Sequence, residues 1–296
     1  MLFDHEKGRM TCDQLIADLM TKKNRENTYP FMECNYRNIV LVGRTRTGKS
    51  TISCMIKNPF HISERPSIFS NTREITFNRI MTKHQENAHF FTIVDTPGLF
   101  DCVREADKRI SNGKVQELLN ECITKDITHI HAFAFVFSSS SGMNQEDIQS
   151  MIFFQTNYPE FKKFSMLIVS HCEEKNAEER NNVIEELFQH PAVVKCNLRE
   201  YFGLGVFFTG SLRSELRNCP NLKAATNQIT NILTMREQLI DFLVSREETY
   251  NIHRKHDTDL VPKVVPRRSS INTIFMIIMA LIFAFLAIIF ALLDKC

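Results

Sequence analysis

The sequence predicts an α/β chain built on a doubly wound, mostly parallel sheet, followed by a C-terminal transmembrane helix. Three observations carry that reading. Over residues 36–250, short apolar runs of strand length alternate with stretches of helical spacing. The first of those runs opens directly into a glycine-rich loop and a helix. Near the end, Ile274 to Leu293 forms a run of twenty residues without a charge. As a helix rising about 1.5 Å per residue it is about 30 Å long, the thickness of a bilayer core. The rest is ordinary: of 296 residues, 43% are hydrophobic and 24% charged, which excludes a disordered or collagen-like chain.

The elements follow in order. Residues 1–35 are a polar extension with one periodic piece, Leu15, Ile16, Leu19 and Met20, which reads as a surface helix. Asn38–Val42 (NIVLV) is the first strand and ends at Gly43; Thr51–Ile56 is the first helix. Glu74–Met81 alternates, as a strand with one exposed face does. His89–Val94 runs into Asp95. Ala132–Phe137, Phe164–Val169 and Val206–Phe208 are continuous apolar runs, the pattern of strands buried on both faces. After Asn144, the residues Ile148, Met151, Ile152 and Gln155 keep helical spacing, with Glu146 and Asp147 in the first turn, where the helix dipole favours acids. Pro159 closes that helix. Val183, Ile184, Leu187 and Phe188 mark another, ended by Pro191, and Ile229, Ile232, Leu233, Leu239, Ile240 and Leu243 a long one. Residues 251–270 are a linker with Pro262 and Pro266, and residues 271–293 the membrane segment.

Charge is unevenly divided. The chain carries +2 overall, but residues 1–250 sum to −1 and residues 251–270 to +3, the tail being neutral. A near-neutral body excludes a nucleic-acid-coating role, so no nucleic-acid partner is expected. The basic collar before the apolar run obeys the positive-inside rule. It predicts a single-pass tail anchor inserted after translation, with the folded body in the cytosol and Arg267 and Arg268 near anionic headgroups. The nine cysteines are odd in number and lack CxxC spacing, and no apolar leader follows the first residues. Reduced thiols in a cytosolic body, without a zinc site, are expected.

Chemistry concentrates at the strand ends. Gly43-Arg44-Thr45-Arg46-Thr47-Gly48-Lys49-Ser50, followed by Thr51, fits GxxxxGK[ST] between a strand and a helix. Glycines there let backbone N–H groups curl around phosphate oxygens, Lys49 reaches the β- and γ-phosphates, and the Ser50 hydroxyl ligates Mg²⁺. Asp95-Thr96-Pro97-Gly98 follows a strand, which places Asp95 to hold Mg²⁺ through water and the Gly98 N–H to meet a γ-phosphate. Thr72 is the candidate Mg²⁺ and γ-phosphate sensor, with Thr76 as its rival. The site is expected to bind GTP or GDP with Mg²⁺, because of the tip of the Phe164–Val169 strand. There Ser170-His171-Cys172-Glu173 occupies the place of the guanine-reading [NT]KxD motif. Glu173 falls at the Asp position and offers two acceptors to the two guanine donors, N1–H and the N2 amino group. His171 falls at the Lys position and can stack on the base. Thr209-Gly210-Ser211 after the last strand fits a backbone loop against guanine, so Gly210 and Ser211 join the site.

These motifs together resemble the AIG1/GIMAP-type GTPases, a septin-related branch of the P-loop GTPases. The resemblance rests on GRTRTGKST (43–51), DTPGLFD (95–101), HAFAFVFSSSSGMNQEDIQSM (131–151) and SHCEE (170–174), and covers about residues 36–250. It implies a P-loop GTPase G domain, GTP binding, and dimers or oligomers that depend on guanine nucleotide. It also implies a membrane-anchoring C-terminus, as many such proteins carry.

Hydrolysis is expected to be slow. Leu99 stands directly after the DxxG glycine, where Ras-like enzymes place the glutamine that orients water. A partner or a second G domain would have to supply a polar group; Arg44, Arg46, Arg73 and Arg104 are the candidates. Two alternatives stand beside the switch reading: a GTP-locked scaffold without productive turnover, and an ATP-using enzyme on the same fold.

Overall fold

The computed structural model describes residues 14, 16–18, 20, 21, 34–63, 74–84, 87–98, 112–215 and 222–252. A six-stranded sheet forms the centre, in the order β3-β4-β1-β6-β7-β8. Its strands are β1 (Cys34–Val42), β3 (Thr76–His84), β4 (Asn87–Asp95), β6 (Ala132–Ser138), β7 (Ser165–Ser170) and β8 (Val206–Phe208). Only β3 runs antiparallel to its neighbour; the other pairings are parallel. The mixed α/β, mostly parallel sheet is the one expected.

Sequence pattern and position agree. All seven residues of β6 and all six of β7 are buried, which accounts for their unbroken apolar runs. Strand β3 lies at the edge, buries few residues and alternates. Chain order reverses at β1, since β4 lies on one side of it and β6 on the other. In open α/β sheets the crevice at such a reversal, beyond the carboxyl ends of the strands, is where ligands bind.

The helices are α1 (Lys49–Lys57), α2 (Asn112–Thr124), α3 (Gln145–Asn157), α4 (Ala177–Gln189), two short pieces α5 (Pro191–Lys195) and α6 (Leu198–Tyr201), and α7 (Leu222–Ser245). Capping boxes start both α3 and α4: Asn144 with Asp147, and Asn176 with Glu179. Under β6 lies an aromatic cluster in which Phe133 stacks on Phe161 at 4.0 Å and Phe135 meets Phe154 edge-on at 5.1 Å. Two two-residue pairings complete the described fold: β2 (Ile62–Ser63) with β9 (Leu212–Arg213), and β5 (His129–Ile130) with β10 (Tyr250–Asn251). In the N-terminal extension the described residues 14, 16–18, 20 and 21 are helical, and Ile16 packs on the core.

Helix α7 is locked by a buried cation. Arg236 is 1% exposed. It donates to the carbonyl of Ile56 at 2.7 and 3.1 Å and to the Thr82 hydroxyl at 2.7 Å. A cation at the last carbonyls of α1 satisfies groups that a helix end leaves open and complements its dipole.

Several expectations fall on residues that are not described: Thr72, Arg73, Leu99, Arg104, and residues 253–296 with the linker and the membrane segment. Among the described residues no helix is long and apolar enough to cross a membrane.

Candidate nucleotide-binding site

The glycine-rich loop is shaped by close contact with β6. A Cβ at Gly43 would lie 2.4 Å from the Val136 carbonyl oxygen, so any side chain there pushes the loop off the sheet. Two hydroxyls fix the loop's far side. Thr47 Oγ1 donates to the Arg44 carbonyl at 2.9 Å, and Ser170 Oγ, at the tip of β7, donates to the Thr47 carbonyl at 2.6 Å. Gly48 is the N-cap of α1 in a left-handed conformation (φ 89°) and no side chain caps this helix. The first N–H groups of α1 are thus uncapped by any side chain, at the positive end of the helix dipole. Thr45 and Arg46 complete the loop, Arg46 exposed and also left-handed (φ 66°).

Helix α1 starts two residues earlier than its apolar spacing indicated, so Lys49 and Ser50 sit in its first turn. Lys49 is 6% exposed. Its Nζ donates to the Gly43 and Arg44 carbonyls at 2.9 and 2.6 Å, so the loop closes around its own ammonium. Ser50 Oγ donates to Asp95 Oδ2 at 2.5 Å, joining the loop helix to the end of β4. The other oxygen, Asp95 Oδ1, is buried and has no hydrogen-bond partner. Burial pushes the Asp95 carboxyl above its ordinary range, against the pull of the Ser50 hydrogen bond and the Lys49 charge. A hydroxyl in contact with a half-satisfied carboxylate is an oxygen donor set that fits Mg²⁺. Gly98 follows on the same loop, half-buried; Thr76 is exposed and pairs in register with Asp95.

Arg44 departs from expectation. Its Nε lies 2.6 Å from Oδ1 of Asp147, whose side chain is 4% exposed. Asp147 Oδ2 meanwhile accepts from the Asn144 N–H at 3.0 Å as half of the α3 capping box. Arg44 is therefore turned along its own molecule, as a clamp between the loop and α3, rather than outward to reach a second G domain.

The base side forms a shallow open pocket lined by Gly48, Thr51, Ile52, Ser170, His171, Thr209, Gly210 and Ser211. His171 has a left-handed backbone (φ 59°), and its Nδ1 meets Ser138 Oγ at 3.0 Å and Ser170 Oγ at 2.9 Å. Those contacts fix the ring beside Gly48, where it can face a base. Burial lowers its pKa, more than the Glu173 charge restores it. Glu173 is 1% exposed, and its Oε1 accepts from Arg213 Nε at 2.7 Å. One of the two oxygens expected to face guanine is thus already in contact with an arginine of the same chain. Burial by itself would lower the Arg213 pKa, but the hydrogen bond and charge of Glu173, with Glu174 and Glu215, raise it. Ser211 Oγ meets Ser63 Oγ at 2.7 Å, which ties the base loop to β2.

The phosphate loop, the acid of β4 and the base-reading loops thus meet along one edge of the sheet, at the reversal point. The AIG1 family model matches residues 37–213, more than half of the chain. The chain belongs to the AIG1 family. As such it is a P-loop, GTP-binding protein of a GTPase-type family. No curated protein matches the chain.

Three contacts of this AIG1 protein's site were not legible in the sequence. Asp147 reads from sequence as a first-turn acid, and nothing local links it to Arg44, 103 residues away. Ser170 begins the base motif but also holds the phosphate loop. Arg213 has no short-range signal at all, being 40 residues from Glu173.

Proposed function

We propose that this AIG1 protein is a guanine-nucleotide switch or scaffold that is anchored in a membrane by residues 271–293 and hydrolyses GTP slowly. We also propose that it pairs through its G domain in the GTP state. The observation that carries the nucleotide reading is the Ser50–Asp95 contact at 2.5 Å, with Asp95 Oδ1 left buried and unpartnered beside the loop that holds Lys49.

The roles follow from chemistry. Lys49 exchanges the Gly43 and Arg44 carbonyls for β- and γ-phosphate oxygens, while the N–H groups at the start of α1 and of Gly98 meet further phosphate oxygens. Ser50 and Asp95 are the residues that would hold Mg²⁺, which supplies neutralisation of charge on the phosphate oxygens. Thr72 is the proposed sensor of the γ-phosphate. His171 faces the base, and Glu173 with Gly210 and Ser211 reads its edge. Leu99 cannot orient an attacking water, so intrinsic turnover is slow, and a group contributed across a G-domain pair raises it. Arg46, Arg73 and Arg104 are the proposed sources; the Asp147 contact removes Arg44 from that set.

Single-turnover GTP hydrolysis measured over a range of protein concentrations tests the reading. Turnover should be slow in dilute protein and rise with concentration; fast, concentration-independent turnover refutes it. For the anchor, deletion of residues 271–296 should move the protein from the membrane fraction to the soluble one. A deletion protein that stays with membranes sinks that part.

A further inference from the structure

We propose that Arg213 is the positioning residue of the base-reading carboxylate: it holds Oε1 of Glu173, so that guanine is read by Oε2 alone. This inference rests on the guanine reading above and adds to it how the base is selected.

Glu173 is almost wholly buried, at 1% exposure. Its Oε1 accepts from Arg213 Nε at 2.7 Å, and Arg213 Nη1 lies 3.4 Å from Oε1 of Glu174. Its Oε2 is buried with no hydrogen-bond partner. Buried carboxylate oxygens are rarely left so, because an unmatched acceptor loses hydration without return. Gly210 packs closely on Glu173: a Cβ there would be 2.8 Å from its backbone nitrogen, its Cβ and this oxygen alike. Gly210 also lines the base pocket. The unpartnered oxygen therefore lies against the pocket wall at Gly210, which has no side chain.

Glutamate is one methylene longer than the aspartate of the usual motif and has one more torsion to fix. Arg213 fixes it. The planar guanidinium grips one oxygen and leaves the other in a set direction. The backbone behind Arg213 is itself held, because Ser63 pairs with Arg213 in the β2–β9 ladder and Ser63 Oγ meets Ser211 Oγ at 2.7 Å. Arg213 is 42% exposed, so replacing it opens no cavity in the core.

The arrangement has a chemical signature. Guanine presents N1–H and an N2 amino group on the edge that a carboxylate reads. Hypoxanthine keeps N1–H and lacks the amino group; adenine has an acceptor at N1. One reading oxygen needs one donor, so an inosine nucleotide keeps most of the binding and an adenine nucleotide loses it. Two reading oxygens would make the amino group indispensable.

The test displaces a fluorescent GDP from the full-length chain, purified in mild detergent with Mg²⁺, by GDP, IDP and ADP. It uses the wild type and Arg213→Met, with a melting curve for each. The expected results are IDP within about tenfold of GDP on the wild type, and a loss of about tenfold or more for GDP but less than twofold for ADP in Arg213→Met. Arg213→Lys, which keeps the charge without the fork, serves under the same GDP-against-ADP comparison if the methionine variant does not fold. IDP more than tenfold weaker than GDP on the wild type overturns the proposal. So does a variant that retains its GDP affinity, or one that loses GDP and ADP equally. A wild type that binds ADP as tightly as GDP instead refutes the guanine reading itself, so the two failures are distinct.

Discussion

Replacing Asp147 by asparagine should loosen the phosphate loop through a single contact. The carboxylate is 4% exposed and meets Arg44 Nε at 2.6 Å, while its second oxygen completes the α3 capping box at 3.0 Å. Asparagine can keep the capping acceptor, but its NH2 group then faces Arg44, so the charge and the hydrogen-bond acceptor that Arg44 meets are both lost. Hydrogen bonds to charged partners contribute about 1.5–3 kcal/mol. Arg44 is 21% exposed, and water screens part of that, so we expect a loss near about 1.5 kcal/mol. The Arg44 carbonyl accepts from both Lys49 and Thr47, so freeing its side chain also loosens the loop that is to hold phosphate. GDP affinity should fall by roughly tenfold, the factor that corresponds to about 1.4 kcal/mol. Urea denaturation and GDP titration of Arg44→Ala, Asp147→Asn and the double variant give the coupling energy directly. A value of about 1–2 kcal/mol is expected; one below about 0.3 kcal/mol, the scatter of independent sites, refutes the clamp.

Arg236→Met should be strongly destabilising, because the Ile56 carbonyl and Thr82 hydroxyl lose a buried donor. A loss of about 2–4 kcal/mol is expected, seen as a fall in melting temperature of about 5–15 °C; an unchanged melting temperature contradicts the locking role. Gly43→Ala should abolish measurable GDP binding in a titration, since its Cβ would stand 2.4 Å from the Val136 carbonyl; full affinity would show that the loop is not held against β6. Acid should destabilise the G domain partly through His131. Burial, with the positive charge of Arg37 second, pushes its pKa down to about 4, while an unfolded histidine titrates near about 6.5. The unfolded state binds the extra proton between these values, so stability present above pH about 6.5 is lost as pH falls toward about 4. His131→Asn, measured by denaturation at several pH values, should flatten that limb; an unchanged slope contradicts the assignment.

Much of this fold could be read because its signals are local. The buried runs of β6 and β7 and the alternation of β3 carry their positions in the sheet. Helix α2 is an addition to the elements expected from sequence; its buried face, Val115, Leu118, Leu119 and Cys122, keeps helical spacing. The pairs β2–β9 and β5–β10 were not legible, because two residues hold no period. At the site, the phosphate loop was plain, since Gly43, Gly48, Lys49 and Ser50 all fall within one eight-residue pattern. Partner choice was not. Arg44 looks like any surface arginine until Asp147 is brought to it, and nothing near Glu173 in the chain announces the Arg213 that meets its Oε1. Such long-range pairings are set by the sheet order and leave no spacing to read.

The central claim, a guanine nucleotide on the Lys49 loop with its base against Glu173, is tested most directly by one competition measurement. GDP and ADP are titrated against the full-length wild type in the presence of Mg²⁺. The account predicts a preference for GDP of about a hundredfold or more, since an adenine leaves the buried Oε2 of Glu173 unpaired. Equal affinity, or a preference for ADP, would contradict it.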